Sequence, residues 1–147
     1  MPSPKVIRER YLNIRRRLDA AAQRSGRPGA SVLLLAVTSE AEPEHIRALV
    51  EAGQVDFGEH RAQDLLQRAA GIEEFLSRHK TLSSSRSARV PSKVRWHMLG
   101  PIQRNKLRRL ADTCQVIHSV DNLRVAEDLQ NATLNRDHPV DILLEVN

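Results

Sequence analysis

The stretch that decides the fold is residues 33–40, Leu-Leu-Leu-Ala-Val-Thr-Ser-Glu. Five apolar residues follow one another without alternation and then give way to small polar ones. Such a run predicts a strand buried on both faces, as in a parallel sheet covered by helices. Because the chemistry of α/β folds gathers just past the carboxyl ends of the strands, Thr38 and Ser39 lie where a reactive side chain is expected.

The rest of the chain alternates between predicted helices and strands. Apolar periodicity predicts helices at about 4–25, 42–53, 61–79, 102–112 and 122–135, and further strands at about 55–59, 94–99, 115–118 and 141–147. Asp121 is the expected N-cap of the last helix, and the polar segment at about 81–92 is a predicted flexible surface loop. Alternation of this kind implies parallel strands with right-handed crossovers. Two architectures fit, an open doubly wound sheet and part of an eight-stranded β/α barrel; the missing glycine-rich loop after the first strand argues against dinucleotide binding.

Composition sets the broad class. The chain has 147 residues, a formal net charge of +5 and 3% aromatic residues. This length suits one domain. The single cysteine, Cys114, excludes an intramolecular disulfide and is expected to be buried as a small apolar side chain. No apolar run approaches the length of a membrane span and no secretion signal is evident, so the expected location is the cytoplasm.

Two function classes follow from the charged and titratable residues. Binding of nucleic acid or another anion is suggested by the N-terminal arginines and by a basic cluster on one short helix, formed by Arg104, Lys106, Arg108 and Arg109. The scarcity of aromatic residues and the absence of a nucleic-acid-binding module argue against it. Hydrolysis by the scattered histidines is also disfavoured, because neither a nucleophile motif nor metal-ligand spacing occurs.

The ends of the predicted strands carry a resemblance. The stretches that carry it, in chain order, are Leu34-Leu35-Ala36-Val37-Thr38, Glu51-Ala52-Gly53, Asp56-Phe57-Gly58-Glu59, Trp96-His97-Met98-Leu99-Gly100, Gln103-Arg104-Asn105-Lys106, Ile117-His118-Ser119-Val120-Asp121 and Glu145-Val146-Asn147. Together they resemble the YggS/PROSC family of pyridoxal phosphate (PLP) homeostasis proteins, which is similar to the N-terminal barrel of alanine racemase. The resemblance implies a partial (β/α)8 barrel of about five parallel strands, with PLP as the cofactor.

Three positions depart from the family pattern. Ser39 stands where the family has the lysine that forms an imine with the cofactor aldehyde. A hydroxyl forms at most a weak, reversible hemiacetal, so covalent PLP binding is expected to be absent. His60 replaces an asparagine that commonly lines the cofactor pocket, and Pro101-Ile102 replaces the family's usual His-Leu.

The resemblance also implies that the chain is shorter than a complete barrel. In the family, the glycine- and serine-rich phosphate-binding segments lie beyond the position of Asn147. Five strands cannot close an eight-stranded barrel. We therefore expect a second chain to complete the sheet, a marginal fold, or a fragment or degraded copy of a longer gene. Self-association through the open sheet edges is the corresponding partner prediction.

The predicted function is that of a non-catalytic, degenerate PLP-family protein. The residual cofactor site is expected at the strand ends, at Ser39, His60, His97, Ser119 and Asn147. The alternative for these residues is a structural one, in which they cap loops and satisfy backbone groups; His97 and His118 in particular fit hydrogen-bonded core positions.

Overall fold

The computed structural model describes residues 2–82 and 90–146, and its strands form one five-stranded parallel sheet. The helices are α1 (Pro4–Arg24), α2 (Pro43–Glu51), α3 (Ala62–Leu82), α4 (Leu107–Thr113) and α5 (Leu123–Thr133). The strands are β1 (Ala36–Val37), β2 (Asp56–Glu59), β3 (Arg95–Met98), β4 (Val116–Val120) and β5 (Asp141–Leu144). Short 3-10 turns occupy Gly29–Ser31 and Arg104–Lys106.

The strand order is sequential, β1-β2-β3-β4-β5, and every neighbouring pair is parallel. A doubly wound sheet reverses its strand order at a switch point, whereas a β/α barrel adds each strand beside its predecessor. The sequential order therefore fits the predicted partial barrel and excludes the doubly wound alternative.

The core lies between the sheet and its helices. Phe57 pairs with Trp96 across β2 and β3, and their rings contact with centroids 5.6 Å apart. Met98 lies two residues after Trp96 on the same face of β3, and Ile117 is its register partner on β4. Both are fully buried in the same cluster with Leu65 of α3. Because side chains alternate along a strand, the residues between them point to the opposite face, which is called the inner face below.

The first strand differs from its prediction. Its regular part is only Ala36–Val37, and Val37 is 53% exposed. Leu33, three residues before the strand begins, is 51% exposed. The expectation of burial on both faces was therefore wrong. Helices cover the face that carries Ala36 and Thr38, whereas the inner face beside Val37 is open.

Other boundaries moved by a few residues. Helix α3 continues to Leu82, so the start of the predicted loop at 81–92 is helical, and residues 83–89 lie outside the described chain. The N-cap of α5 is Asn122 and not Asp121: the Asn122 side chain accepts a hydrogen bond from the backbone N–H of Val125 at 3.0 Å. The edge strand β5 is exposed along its whole length, and Leu144 retains 73% of its surface.

Candidate functional site

The carboxyl ends of β1 and β2 are joined by a buried ionic cluster. The hydroxyl of Thr38 donates to Glu59 Oε1 at 2.5 Å, and Arg68 Nη1 of α3 donates to the same oxygen at 2.6 Å. The Glu59 side chain is 0% exposed, so its charge needs the compensation that Arg68 provides. Arg68 Nη2 also donates to the backbone oxygen of Ser39 at 3.2 Å, which fixes the loop just after β1.

Two polar atoms in this cluster are unsatisfied. Ser39 Oγ and Glu59 Oε2 are buried without a hydrogen-bond partner among the described residues. Beside Ser39, a cleft of about 620 Å³ opens between α2 and α3, with Arg47, Asp64 and Arg68 in its lining. The predicted cofactor position thus faces the helix layer and lies against an ion pair.

A second set of contacts connects β2, β3 and β4 at the same edge. The hydroxyl of Ser119 donates to the Gly100 carbonyl at 2.6 Å. On the other side of Gly100, a Cβ atom would lie 2.1 Å from the backbone oxygen of His60, so only glycine allows this approach. His60 itself is exposed. Ser119 therefore satisfies a backbone group, as the structural alternative for that residue proposes.

The predicted residue His97 lies within β3 and not at its end. Its register partners are Gly58 and Val116, so it points to the inner face, away from Trp96 and Met98. His97 Nε2 lies 3.0 Å from Asp56 Oδ1, and His97 Nδ1 lies 3.0 Å from His118 Nε2. Both histidines are hydrogen-bonded, as the structural alternative for them predicted.

The guanidinium of Arg95 contacts the same Asp56 carboxylate as His97. Arg95 Nε and Nη2 each lie 2.8 Å from one Asp56 oxygen, a two-point contact. The hydrogen bond to Asp56 raises the pKa of Arg95. Burial lowers the pKa of His118, and so does its neighbour His97.

The five predicted site residues do not form one site in the described chain. Ser39 belongs to the cluster of Glu59 and Arg68, His60 and Ser119 contact Gly100 from two sides, and His97 belongs to the inner-face network. Asn147 lies outside the described residues.

The sequence reasoning missed the charged residues that organise both clusters: Asp56, Glu59, Arg68 and Arg95. Two signals pointed to them. Asp56 and Glu59 begin and end a strand whose four residues are all buried, and a buried carboxylate requires a cation. Arg68 lies near the buried stripe of α3, beside Leu65 and Ala69. An arginine is unusual on the buried side of a helix unless it is paired with another group.

The geometry supports neither anion binding by the basic cluster nor a metal site. Arg104 is engaged with Asp128, with Arg104 Nε at 2.6 Å from Asp128 Oδ2. Within the described residues, no group of three or more His, Cys, Asp or Glu side chains is placed to hold a metal ion. Cys114 is buried as predicted, and burial raises the pKa of its thiol to about 12. Across residues 2–82 and 90–146, no helix combines the length and the apolarity needed to cross a bilayer.

Comparison with curated proteins gives one consistent name. A pyridoxal phosphate homeostasis protein of Pseudomonas aeruginosa is 33% identical over 142 residues, covering 97% of this chain and 54% of the relative. The protein of the same name from Escherichia coli K12 is 28% identical over 141 residues, covering 96% and 54%. The chain thus spans about half the length of the curated relatives it matches. No protein-family model matches it.

The chain is also similar to solved structures. PipY of Synechococcus elongatus PCC7942, solved with PLP bound, is 30% identical with a TM-score of 0.63, covering 88% of this chain and 53% of PipY. An unknown protein from Bifidobacterium adolescentis is 29% identical with a TM-score of 0.80, covering 98% and 56%.

Proposed function

We propose that this chain, which is similar to the pyridoxal phosphate homeostasis proteins over about half of their length, is a non-catalytic relative whose strand-end site forms no imine with PLP. The observation that carries the proposal is the side chain at position 39. An imine requires a primary amine that adds to the aldehyde and loses water, and Ser39 has only a hydroxyl.

The surroundings of Ser39 support this proposal. Arg68 and Glu59 hold the loop in place, so the scaffold that would present an amine is intact. The charged side chain that contacts the Ser39 backbone is Arg68, which is already paired with the buried carboxylate of Glu59. The residues present at this strand end therefore do not fit a covalently attached cofactor.

The four lysines of the chain lie elsewhere. Lys5 is in α1, Lys80 is near the end of α3, and Lys93 precedes β3 at the opposite edge of the sheet. Lys106 lies in the 3-10 turn that follows β3 and matches a lysine that the resemblance already assigns to the family pattern. None of the four occupies the end of β1.

The phosphate group of the cofactor adds a second requirement. In barrels of this type it is commonly bound after strands seven and eight, and the resemblance places those segments beyond the region that this chain matches. With no amine at the end of β1, any association of PLP with the described residues is expected to be non-covalent and to be lost on dialysis.

Absorbance after dialysis tests the proposal. The purified chain is incubated with PLP, dialysed and compared with full-length PipY, whose structure has been solved with PLP bound. We expect no retained imine band in this chain and the same result for Ser39→Ala. An imine band that survives dialysis of the unmodified chain would refute the proposal.

A further inference from the structure

The inner face of the sheet carries a linear chain of three titratable side chains that the proposed function does not use. Asp56 of β2, His97 of β3 and His118 of β4 lie on adjacent strands, and successive members are 3.0 Å apart. The two imidazole rings have centroids 5.3 Å apart. Parallel register brings residues from three strands together here, so the arrangement depends on the tertiary fold and not on sequence proximity.

The positions of the protons among these three side chains follow from Asp56. An ionised carboxylate only accepts hydrogen bonds, so His97 Nε2 must carry the proton that it shares with Asp56. Arg95 already neutralises Asp56 through two contacts. The His97 ring, only 3% exposed, therefore lies between a carboxylate that is already paired and the ring of His118.

The position of the proton on His118 follows in the same way. In the tautomer that carries its proton on Nε2, His97 has a lone pair on Nδ1, and His118 Nε2 donates to it at 3.0 Å. In neutral His118 the remaining nitrogen, Nδ1, carries no proton and is an acceptor only. The His118 ring is partly exposed, unlike that of His97.

The other groups around His118 do not oppose this assignment. On β5, the regular pairing ends at Ile117 and Ile142, and the register shifts before Val120. The carboxylates of that segment are Asp141, the register partner of Val116, and Glu145, just after the strand. On β3, the facing groups are His97 and, through it, Asp56 and Arg95. The lowered pKa of His118 keeps its ring neutral over a wider range than an ordinary histidine.

We propose that His118 is a proton-accepting site on the inner face, oriented by Asp56 and His97, which takes a small neutral ligand or reactant through an acidic hydrogen. Asp56 and His97 act as positioning residues, because they reach the ligand only through His118. This arrangement is that of a general base whose tautomer is set by a buried carboxylate. The site is independent of residue 39 and of any PLP chemistry.

The tautomers are measured directly by two-bond proton–nitrogen NMR on the unmodified chain with 15N-labelled histidine. We expect Nε2–H on both His97 and His118, and a bare Nδ1 on His118 at neutral pH. Finding the proton of His118 on Nδ1 overturns the proposal. His97→Phe removes the acceptor of the His118 Nε2–H group, so the proton of His118 should no longer be held on Nε2. A merely structural role for His97 would not produce this change in tautomer.

Proton abstraction is measured with 5-nitrobenzisoxazole as the probe. The base takes the C3 hydrogen, the electrons of that C–H bond form the nitrile, and the N–O bond breaks to give a phenolate, so no other reactant is needed. We expect His118→Phe to lower the rate about tenfold or more. The rate of the unmodified chain should rise with pH, with a midpoint below that of free imidazole.

The matched control is His138→Phe, which removes an exposed histidine outside the regular elements and should leave the rate unchanged. Equal rates for His118→Phe and the unmodified chain would contradict the assignment, whatever the tautomer. If His118→Phe fails to fold, His118→Asn supplies the second variant, and the tautomer measurement on the unmodified chain still decides the proposal.

Discussion

Replacing Arg68 by methionine is expected to destabilise the protein strongly. Arg68 Nη1 lies 2.6 Å from Oε1 of Glu59, whose side chain is completely buried, while the Arg68 side chain is 20% exposed. Methionine keeps most of the apolar stem but removes the charge, so the carboxylate is left with only the Thr38 hydroxyl as a donor.

The expected loss is about 3 kcal/mol in the free energy of unfolding. Removal of one partner from a buried ion pair costs roughly 3–5 kcal/mol, because the other charge remains buried without compensation. The lower end of that range applies here, since the partly exposed position of Arg68 admits water to the site left behind. The same substitution also removes the hydrogen bond from Arg68 to the Ser39 carbonyl.

Arg78→Met on the same helix is the matched control. Arg78 pairs with Glu74, four residues earlier, with both side chains largely exposed, so the expected change is only about 0.5 kcal/mol. Urea unfolding followed by fluorescence measures both variants, since Trp96 is the single tryptophan and is 3% exposed in the core.

A double variant separates loss of charge compensation from loss of packing. Glu59→Gln combined with Arg68→Met removes both charges, and it should recover most of the stability that Arg68→Met loses. The role of Arg68 in charge compensation is contradicted if Arg68→Met lowers the free energy of unfolding by no more than Arg78→Met does. It is also contradicted if the double variant is as unstable as Arg68→Met alone.

Three further predictions concern single positions. Gly100→Ala should destabilise the protein, because its new Cβ would meet the His60 carbonyl at 2.1 Å; Gly71→Ala, with nothing within 4 Å, should instead stabilise α3 by about 0.5–1 kcal/mol, and thermal unfolding distinguishes the two. Asn122→Ala should cost about 1 kcal/mol in urea unfolding through loss of the N-cap bond. Cys114 should react with a thiol reagent at pH 8 only as fast as the protein opens, because burial raises the pKa of its thiol to about 12; rapid labelling of the native protein, timed by mass spectrometry, would contradict this.

The general architecture was predictable from sequence because periodicity records which face of each helix is buried. The alternation of helices and strands gave five parallel strands, and the resemblance selected the barrel order that the structure has. Periodicity does not locate a cap to the residue, which is why Asp121 was predicted where Asn122 makes the bond. It also cannot tell whether a second layer covers an apolar strand, so the exposure of Val37 was missed.

The candidate site was less predictable because its contacts join distant elements. Ser39, His97 and Ser119 were identified as polar residues near strand ends, but their partners depend on register. The bond between His97 and Asp56 spans 41 positions, and the one between Arg68 and the Ser39 carbonyl spans 29. The position of Arg68 near the buried stripe of α3 indicates that it points inward, but the sequence does not show which carboxylate it contacts, so its pairing with Glu59 could be recognised only in the fold.

Intact mass after borohydride reduction tests the central claim most directly. Reduction converts any imine between PLP and the protein into a stable bond, so one attached cofactor adds its mass to the chain permanently. We expect the dialysed, reduced protein to keep the mass of its unmodified sequence. A stoichiometric adduct that peptide mapping assigns to a single position would contradict it.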